Sequence, residues 1–459
     1  MNILARQPLF LTRLAMLCAA VVVSVSPVRA RSPGDPESHD DDDMQTGLEL
    51  RRASVSSDPD AAGPLSFHLT PQLSFGARLN LEIRPSENLD LTESEDDNLV
   101  QSLVKLRLSM LYEPHELIDI YAEGELAVED ALLDGSGDRS TQTELKLRRA
   151  YVLWREFLTK PLTLVLGRQR IVDDRQWLYD ENLDGIKLRW ERDKFSTEFS
   201  VTELLFEPLV LDDRPRRFDD EESLNVILTA NYQYDRKERV SLFGVFRHDD
   251  KNKSDLAWIG ASWRGRFKRH KVWIDTSSLV GEDEGRPVRG YAIDAGTVLR
   301  FDVPWKPSFT FGIAYGSGDA HPDRGIDGNF QQTGLEDNEW RFNGVSKFKY
   351  YGEVVDPELS NLVVTTADFG LLPTDDFSVD LVYHYYSLVE KRDELRDADI
   401  EEDLTGEALD IGHEVDLIVG YRVGAKVRTS LALGCFWPGR AFENKDLAAA
   451  AKLTVQIAF

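Results

Sequence analysis

Arginine and lysine recur at every second position in several stretches of this chain, and that spacing gives them a common face. In 102 to 112, Lys105 and Arg107 alternate with Val104, Leu106, Leu108 and Met110; in 72 to 84, Arg78 and Glu82 alternate with Leu79, Leu81 and Ile83. An extended backbone points successive side chains to opposite sides, so each stretch reads as a strand with one apolar and one polar face. Carrying the parity through the chain collects Arg78, Lys105, Arg107, Lys187, Arg189, Arg300 and Arg428 on the polar side. Glu82, Asp119, Glu123, Glu125, Asp294, Asp380, Glu414 and Asp416 fall there too. The chemistry open to such a face is recognition of anions, because guanidinium forks match carboxylates and interspersed acids keep attraction from becoming adhesion. The plainer alternative is that these charges only satisfy one another across a wet interior.

Other chemistries are absent from the pattern. The eight histidines are dispersed without metal-ligand spacing, there is no His-Glu-x-x-His, and no glycine-rich loop joins a strand to a helix. No enzyme site, metal or cofactor is expected. The net charge of −27 speaks against nucleic acid as a partner.

The elements that must position the charged face are strands throughout. Alternating segments run at 72–84, 102–112, 117–128, 144–154, 162–170, 183–191, 194–204, 224–234, 238–248, 255–265, 269–281, 289–301, 307–317, 360–371, 377–389, 412–421, 427–437 and 448–459, which makes eighteen. The last ends on Phe459, with Ile457, Val455 and Leu453 alternating with Gln456, Thr454 and Lys452. A terminal strand of this kind suits a barrel whose last strand pairs with its first and leaves no open edge. Links after odd strands are mostly long and acidic, as at 129–143, 205–223, 318–359 and 390–411; links after even strands are short, as at 113–116, 235–237 and 373–376. A soluble sandwich has no reason to sort its loops by parity, whereas an outer-membrane barrel keeps short turns inside and long loops outside. Tyr112, Trp154, Trp190, Tyr234, Trp263, Phe301 and Trp305 sit near strand ends, where interface girdles belong. The fold class is therefore all-β, a transmembrane antiparallel barrel of about 18 strands, wide enough for an aqueous channel. Outer-membrane lipid and lipopolysaccharide become expected neighbours, and the barrel is expected to be monomeric.

Ahead of the barrel, Arg6 and Arg13, the apolar run Leu14 to Val25 and the site Val28-Arg29-Ala30 form an export signal over residues 1–30. Residues 31–64, with Asp40 to Asp43, read as a disordered acidic leader, leaving 65–459 for the barrel. The exported chain keeps one cysteine, Cys435, so it forms no internal disulfide.

Several blocks resemble the alginate-export family of outer-membrane porins. They are Gly167-Arg168-Gln169-Arg170 with Gln176-Trp177, Phe330-Gln331-Gln332-Thr333-Gly334-Leu335-Glu336-Asp337-Asn338, Tyr351-Gly352-Glu353, Pro357 to Leu362, Leu381-Val382-Tyr383-His384, and Asp410 to Leu417. The resemblance spans about residues 140 to 440. It implies an eighteen-stranded pore for an anionic exopolysaccharide such as alginate and, with it, a periplasmic scaffold lipoprotein of a secretion complex. It also places Arg148 in the lumen, although Arg149 stands beside it where the family has an acid. Two departures stand out. Ser430 and Ala432 occupy the places of paired arginines ahead of Gly434-Cys435-Phe436-Trp437-Pro438-Gly439, leaving Arg428 on that face. Arg422 to Lys426 is a tight turn where the family has a long periplasmic one. Parity puts Arg168 and Arg170 on the side of Leu162, Leu164 and Leu166, at the bilayer edge, unless a bulge re-aims them. The alternative function is a porin that takes up small acidic sugars or other solutes.

Overall fold

The computed structural model describes residues 65–92, 99–133, 140–205, 209–210, 223–235, 237–322 and 325–459; the signal segment 1–30 and the leader 31–64 lie outside the described residues. Among them eighteen strands form the wall. The first seven are β1 (Leu73–Glu87), β2 (Leu99–His115), β3 (Ile118–Leu133), β4 (Ser140–Trp154), β5 (Leu162–Val172), β6 (Asp180–Arg192) and β7 (Phe195–Glu203). Then come β8 (Ser223–Asp235), β9 (Glu238–Asp249), β10 (Ser254–Phe267), β11 (His270–Asp283), β12 (Arg286–Arg300) and β13 (Ser308–Gly316). The wall ends with β14 (Leu362–Thr374), β15 (Phe377–Leu388), β16 (Asp410–Val423), β17 (Val427–Pro438) and β18 (Ala448–Ala458). Each pairs antiparallel with its neighbour, and β18 returns to β1 with Leu79 opposite Ile457 and Leu81 opposite Val455. The barrel is closed, as the terminal strand predicts.

Alternation decides which face meets lipid. Leu108 is 59% exposed and Ile259 64%, while Arg107 and Trp258 beside them face inward. Such residues make the outer apolar band that a bilayer requires. The short links, such as 193–194, 268–269 and 424–426, gather at one end, ringed by aromatic contacts: Trp154 with Phe157, Trp190 with Phe195, Trp263 with Phe267, and Phe377 with Tyr421.

One long link departs from its expected place outside. The segment 317–361 carries Phe330, Trp340, Phe342, Phe348, Tyr350, Tyr351, Val354, Val355 and Leu359, all buried. Its described residues, 317–322 and 325–361, fold into the lumen, where inward-facing Trp258, Trp273, Tyr386 and Phe436 of the wall share one core with its rings. A loop with so many rings loses heavily by staying in water, and an eighteen-stranded barrel has the internal room. Within it, Glu339–Trp340 and Phe348–Lys349 form a two-residue ladder.

Candidate functional site in the barrel lumen

The inner faces of β1 to β4 carry a charged ladder. Arg78 lies opposite Arg107, Arg107 opposite Glu125, and Glu125 opposite Lys146. Lys105 sits one inward position along β2, opposite Asn80 and Ala127. Arg107 Nε donates to Glu125 Oε2 at 2.5 Å. Arg148 lies 3.3 Å from Glu123 and 3.3 Å from Glu125. A β-bulge explains how both arginines of β4 come inside: Glu123 pairs with Arg149 but Gly124 pairs with Leu147, so Arg148 is the extra residue. Leu147 and Val152 on either side face out, and Arg149, 2% exposed, donates to Asn182 at 3.4 Å. On this wall Arg78, Lys105, Arg107, Lys146, Arg148 and Arg149 stand against Glu82, Glu123, Glu125 and Glu144, while Asp119 is paired with Arg155. Sequence parity misses Arg149 because the bulge shifts the phase within β4; the signal was the pair itself, since strict alternation sends one of two adjacent arginines into lipid.

Two further basic residues on β6 belong to the same half. Lys187 Nζ donates to the carbonyl of Arg170 at 3.3 Å, and Arg189 lies 2.9 Å from Glu191 and 3.2 Å from Glu198. Arg300 is half-buried at the short-turn end of β12, and Arg428 is exposed beside the tight turn 424–426, opposite Arg422 and Gln456. The acids named with them occupy different ground. Asp380 is 2% exposed, and Glu414 and Asp416 are fully buried beneath the 317–361 segment. Glu414 accepts from the Val354 amide at 2.7 Å, the Val355 amide at 3.1 Å and the Tyr386 hydroxyl at 2.8 Å. Asp380 presses against Gly344, where an added Cβ would lie 2.3 Å from its Oδ2, and Asp416 lies 3.5 Å from His384 Nε2. Glu414 thus bonds the loop directly, and Asp380 and Asp416 are buried beneath it.

The β5–β6 hairpin turns inward at a glycine rung. Gly167 lies opposite Gly185. A Cβ on Gly167 would sit 2.3 Å from the Ala150 carbonyl oxygen, and one on Gly185 would sit 2.1 Å from that of Val201. Gly167 also has φ +115°, a conformation closed to residues with a Cβ. Beyond this rung β5 leaves β4: their pairing stops at Ala150 with Arg168, and Glu144 and Leu145 pair instead with Leu209–Val210. The freed tip enters the lumen, where Asn182 meets Arg149. Arg168 and Arg170, placed at the bilayer edge by parity, are therefore inside the fold, Arg168 3.1 Å from Asp184 and Arg170 2.5 Å from Asp180. A glycine bend rather than a bulge re-aims them.

Asp173 shapes the turn at the tip by accepting the amides of Arg175, Trp177 and Leu178 at 2.9, 3.0 and 2.7 Å. Burial pushes its carboxyl above the usual range, with those amides pulling back. The tip then knits to the loop: Trp177 Nε1 donates to the Tyr351 hydroxyl at 3.0 Å, and the amides of Asp337 and Asn338 donate to the Gln176 carbonyl. The arrangement is a barrel with one packed lumenal half and one charged lumenal half. Among the described residues no group of three or more His, Cys, Asp or Glu is placed to hold a metal ion.

Comparison with known proteins agrees with this geometry. The family profile described as "Alginate export" matches residues 71–456. The alginate production protein AlgE of Pseudomonas aeruginosa is 32% identical over 167 residues, 35% of this chain and 33% of that protein. AlgE of Azotobacter vinelandii is 32% identical over 140 residues, 29% of this chain and 28% of that protein. The matched segments thus span about a third of the length of these relatives. Among solved structures, OccAB2 of Acinetobacter baumannii aligns with TM-score 0.54 at 10% identity, covering 84% of this chain and 98% of that one. OprD of Pseudomonas aeruginosa aligns with TM-score 0.52 at 12% identity, covering 89% and 99%. At that identity the likeness concerns the fold.

Proposed function

The chain belongs to the alginate-export family and is an outer-membrane protein of a Gram-negative cell, and from that premise we propose that its lumen conducts an anionic exopolysaccharide such as alginate from the periplasm to the surface. The observation that carries this reading is the surplus of bases on the open wall. A polyuronate presents a carboxylate on nearly every sugar. Half-buried Arg78, Lys105, Arg107, Arg148, Lys187 and Arg189 offer it successive, exchangeable partners; Arg107, Arg148 and Arg189 already share their charge with protein acids, and Lys187 with a carbonyl. Arg428 and Arg300 extend the basic lining toward the short-turn mouth. Glu414 contributes by tying down the loop against which the cargo slides, with Asp380 and Asp416 packed beneath it.

Position outweighs total charge here. The acids of the leader and outer loops are screened by salt over about 8 to 10 Å, whereas a guanidinium in a narrow passage with low-dielectric walls is felt by every passing anion. The pore should therefore prefer anions although the chain carries −27. The test is planar-bilayer reversal potentials together with polysaccharide secretion in a complemented strain. Arg107→Glu with Arg189→Glu should shift selectivity towards cations and cut secretion. A native channel that selects cations overturns the conduit reading. An anion-selective channel that leaves secretion unchanged when deleted, yet is needed for growth on small acidic sugars, replaces export with uptake. We also propose a periplasmic scaffold lipoprotein as a partner at the short-turn mouth, to be sought by cross-linking in the producing cell.

A further inference from the structure

Building a barrel wall does not require the β5–β6 tip. One position beyond the Gly167–Gly185 rung, after Arg168 with Ala150 and Asp184 with Glu203, the hairpin leaves both neighbouring strands; further out its strands pair with each other and bridge to the loop at Tyr179–Leu335, and its turn 173–179 crosses the lumen to the opposite wall. What meets it there is a single built site around Arg175, which is 1% exposed. Arg175 Nη1 lies 3.0 Å from Asp275 Oδ2 of β11 and 2.9 Å from Asp294 Oδ2 of β12. Its guanidinium carbon is 5.0 Å from the Trp273 ring, 5.0 Å from Trp340 and 4.3 Å from Tyr350. Asp275 and Trp273 belong to the wall, as does Asp294; Trp340 and Tyr350 belong to the 317–361 loop. One side chain thus joins tip, wall and loop.

We propose that Arg175 is the latch of the lumenal plug: a positioning residue that pins the in-turned hairpin to β11 and β12 and to the Trp340 and Tyr350 rings of the loop, so that it sets the bore of the pore. A buried guanidinium is tolerable only when carboxylates and ring faces replace its water, and this site supplies two of the first and three of the second. The neighbours are already shared. Asp275 also accepts from Arg264 at 2.7 Å, and Asp294 accepts from Trp273 Nε1 at 2.7 Å and from the Tyr351 hydroxyl at 2.7 Å. Withdrawing Arg175 therefore loosens wall and loop together. Among the described residues the other ion pair between the tip and the far wall is Asp174–Arg239 at the same turn; the tip's other ties run to the loop, with Trp177 stacked on Phe330 and the Trp177 and Leu178 carbonyls accepting from Gln332 and Thr333. Its bonds to Asp337, Asn338 and Tyr351 run to the loop, which keeps its own ties to the wall at Glu414, Trp258 and Tyr386, so what is released is the hairpin.

This inference rests on the reading of the barrel as a conduit, but its test needs no polysaccharide. Full-length protein purified from outer membranes would be recorded as single channels in potassium chloride, comparing the native chain with Arg175→Met and Arg175→Lys. An eighteen-stranded barrel relieved of its in-turned hairpin has a wider bore, so Arg175→Met should raise the open conductance by about twofold or more, with frequent excursions to that level. Arg175→Lys, which keeps the charge between the two aspartates, should restore most of the native level. Strand content and heat resistance on gels should stay native in both. Because Arg175→Met strands two buried acids, the triple variant with Asp275→Asn and Asp294→Asn serves as the second arm, and it should show the same wide conductance. Native conductance in a folded Arg175→Met or triple variant overturns the latch. Failure of both to form a barrel overturns it too, since Arg175 would then be a requirement of the wall rather than a fastening on an appendage.

Discussion

The two halves of the lumen solve the same problem in opposite ways. On β1 to β4 the inward side chains are charged, partly solvated and matched to one another across the ladder, as with Arg107 and Glu125 at 2.5 Å. On β10 to β17 they are Trp258, Trp273, Tyr386 and Phe436, sealed under a loop as apolar as they are. Of the acids of that second half, Asp294 takes the Tyr351 hydroxyl and Arg175, Glu414 takes loop amides, and Asp380 and Asp416 are buried beneath the loop. The difference teaches that facing inward in a barrel does not make a residue pore-lining: what covers it decides. Substitutions in the packed half should change stability and bore, and substitutions in the charged half should change selectivity.

The largest expected effect lies in the packed half. Trp273 stacks on Phe342 with ring centroids 5.9 Å apart, meets Trp340 edge-on at 5.5 Å, and holds Asp294 through its indole nitrogen. Trp273→Ala should weaken loop docking by about 3 to 5 kcal/mol, the usual loss for a buried aromatic. Hydrogen exchange should then rise through 330–361 while β1 to β4 stay protected. Equal loss of protection in both halves would erase the distinction. Next comes the bend. Gly167→Ala forces a Cβ into the Ala150 carbonyl at a positive φ, costing about 1 to 3 kcal/mol. Its signature is a hairpin displaced from the lumen, read as increased proteolysis within 168–184.

The charged half gives a smaller energetic effect with a sharper functional one. Glu125→Gln removes the carboxylate shared by Arg107 and Arg148, leaving one positive charge uncompensated beside the path. At an effective dielectric near 20 a carboxylate about 4 Å away gains about 4 kcal/mol before the cost of leaving water. Reversal potentials should therefore move further towards anions and the dwell time of oligouronates in the pore should lengthen, while the melting point changes little. A shift towards cations would mean that the ladder does not line the path.

Much of this was legible in the sequence. Eighteen strands, their closure by the segment ending at Phe459, the sorting of links and the aromatic girdle follow from alternation and loop length, which are local properties. The inward parity of Arg78, Lys105, Arg107 and Glu125 was legible for the same reason, but not that of Arg149 beyond the bulge in β4. What alternation could not show depends on contacts distant in sequence. The destination of 317–361 is set by rings on β10, β11, β15 and β17. The inward turn of Arg168 and Arg170 is set by two glycines eighteen positions apart that meet only once β5 pairs with β6. The composition of 317–361 held the missed clue, since a solvated outer loop has no use for Trp340, Phe342, Phe348, Tyr350 and Tyr351 so close together.

The smallest expected effect separates the halves by pH. In the loop, Asp356 Oδ2 lies 2.9 Å from Lys349 Nζ, yet burial pushes its carboxyl up to about 7, the lysine pulling it back only in part. Glu358, which accepts the Gln332 amide and Arg396 Nε, is also raised by burial. In a released loop both would titrate as ordinary carboxylates near about 4. The docked loop therefore holds protons that the released loop gives up. Its extra stability is complete below about pH 4 and is lost as pH rises through about 7, because the undocked form then binds fewer protons. Amide protection of 345–361, corrected for the intrinsic rate and referenced to β1 to β4, should be about tenfold greater at pH 5.5 than at pH 8.5. Asp356→Asn should flatten most of that difference. Protection that instead strengthens with rising pH would mean that the Lys349–Asp356 ion pair, and not burial of the acid, governs how the loop is held.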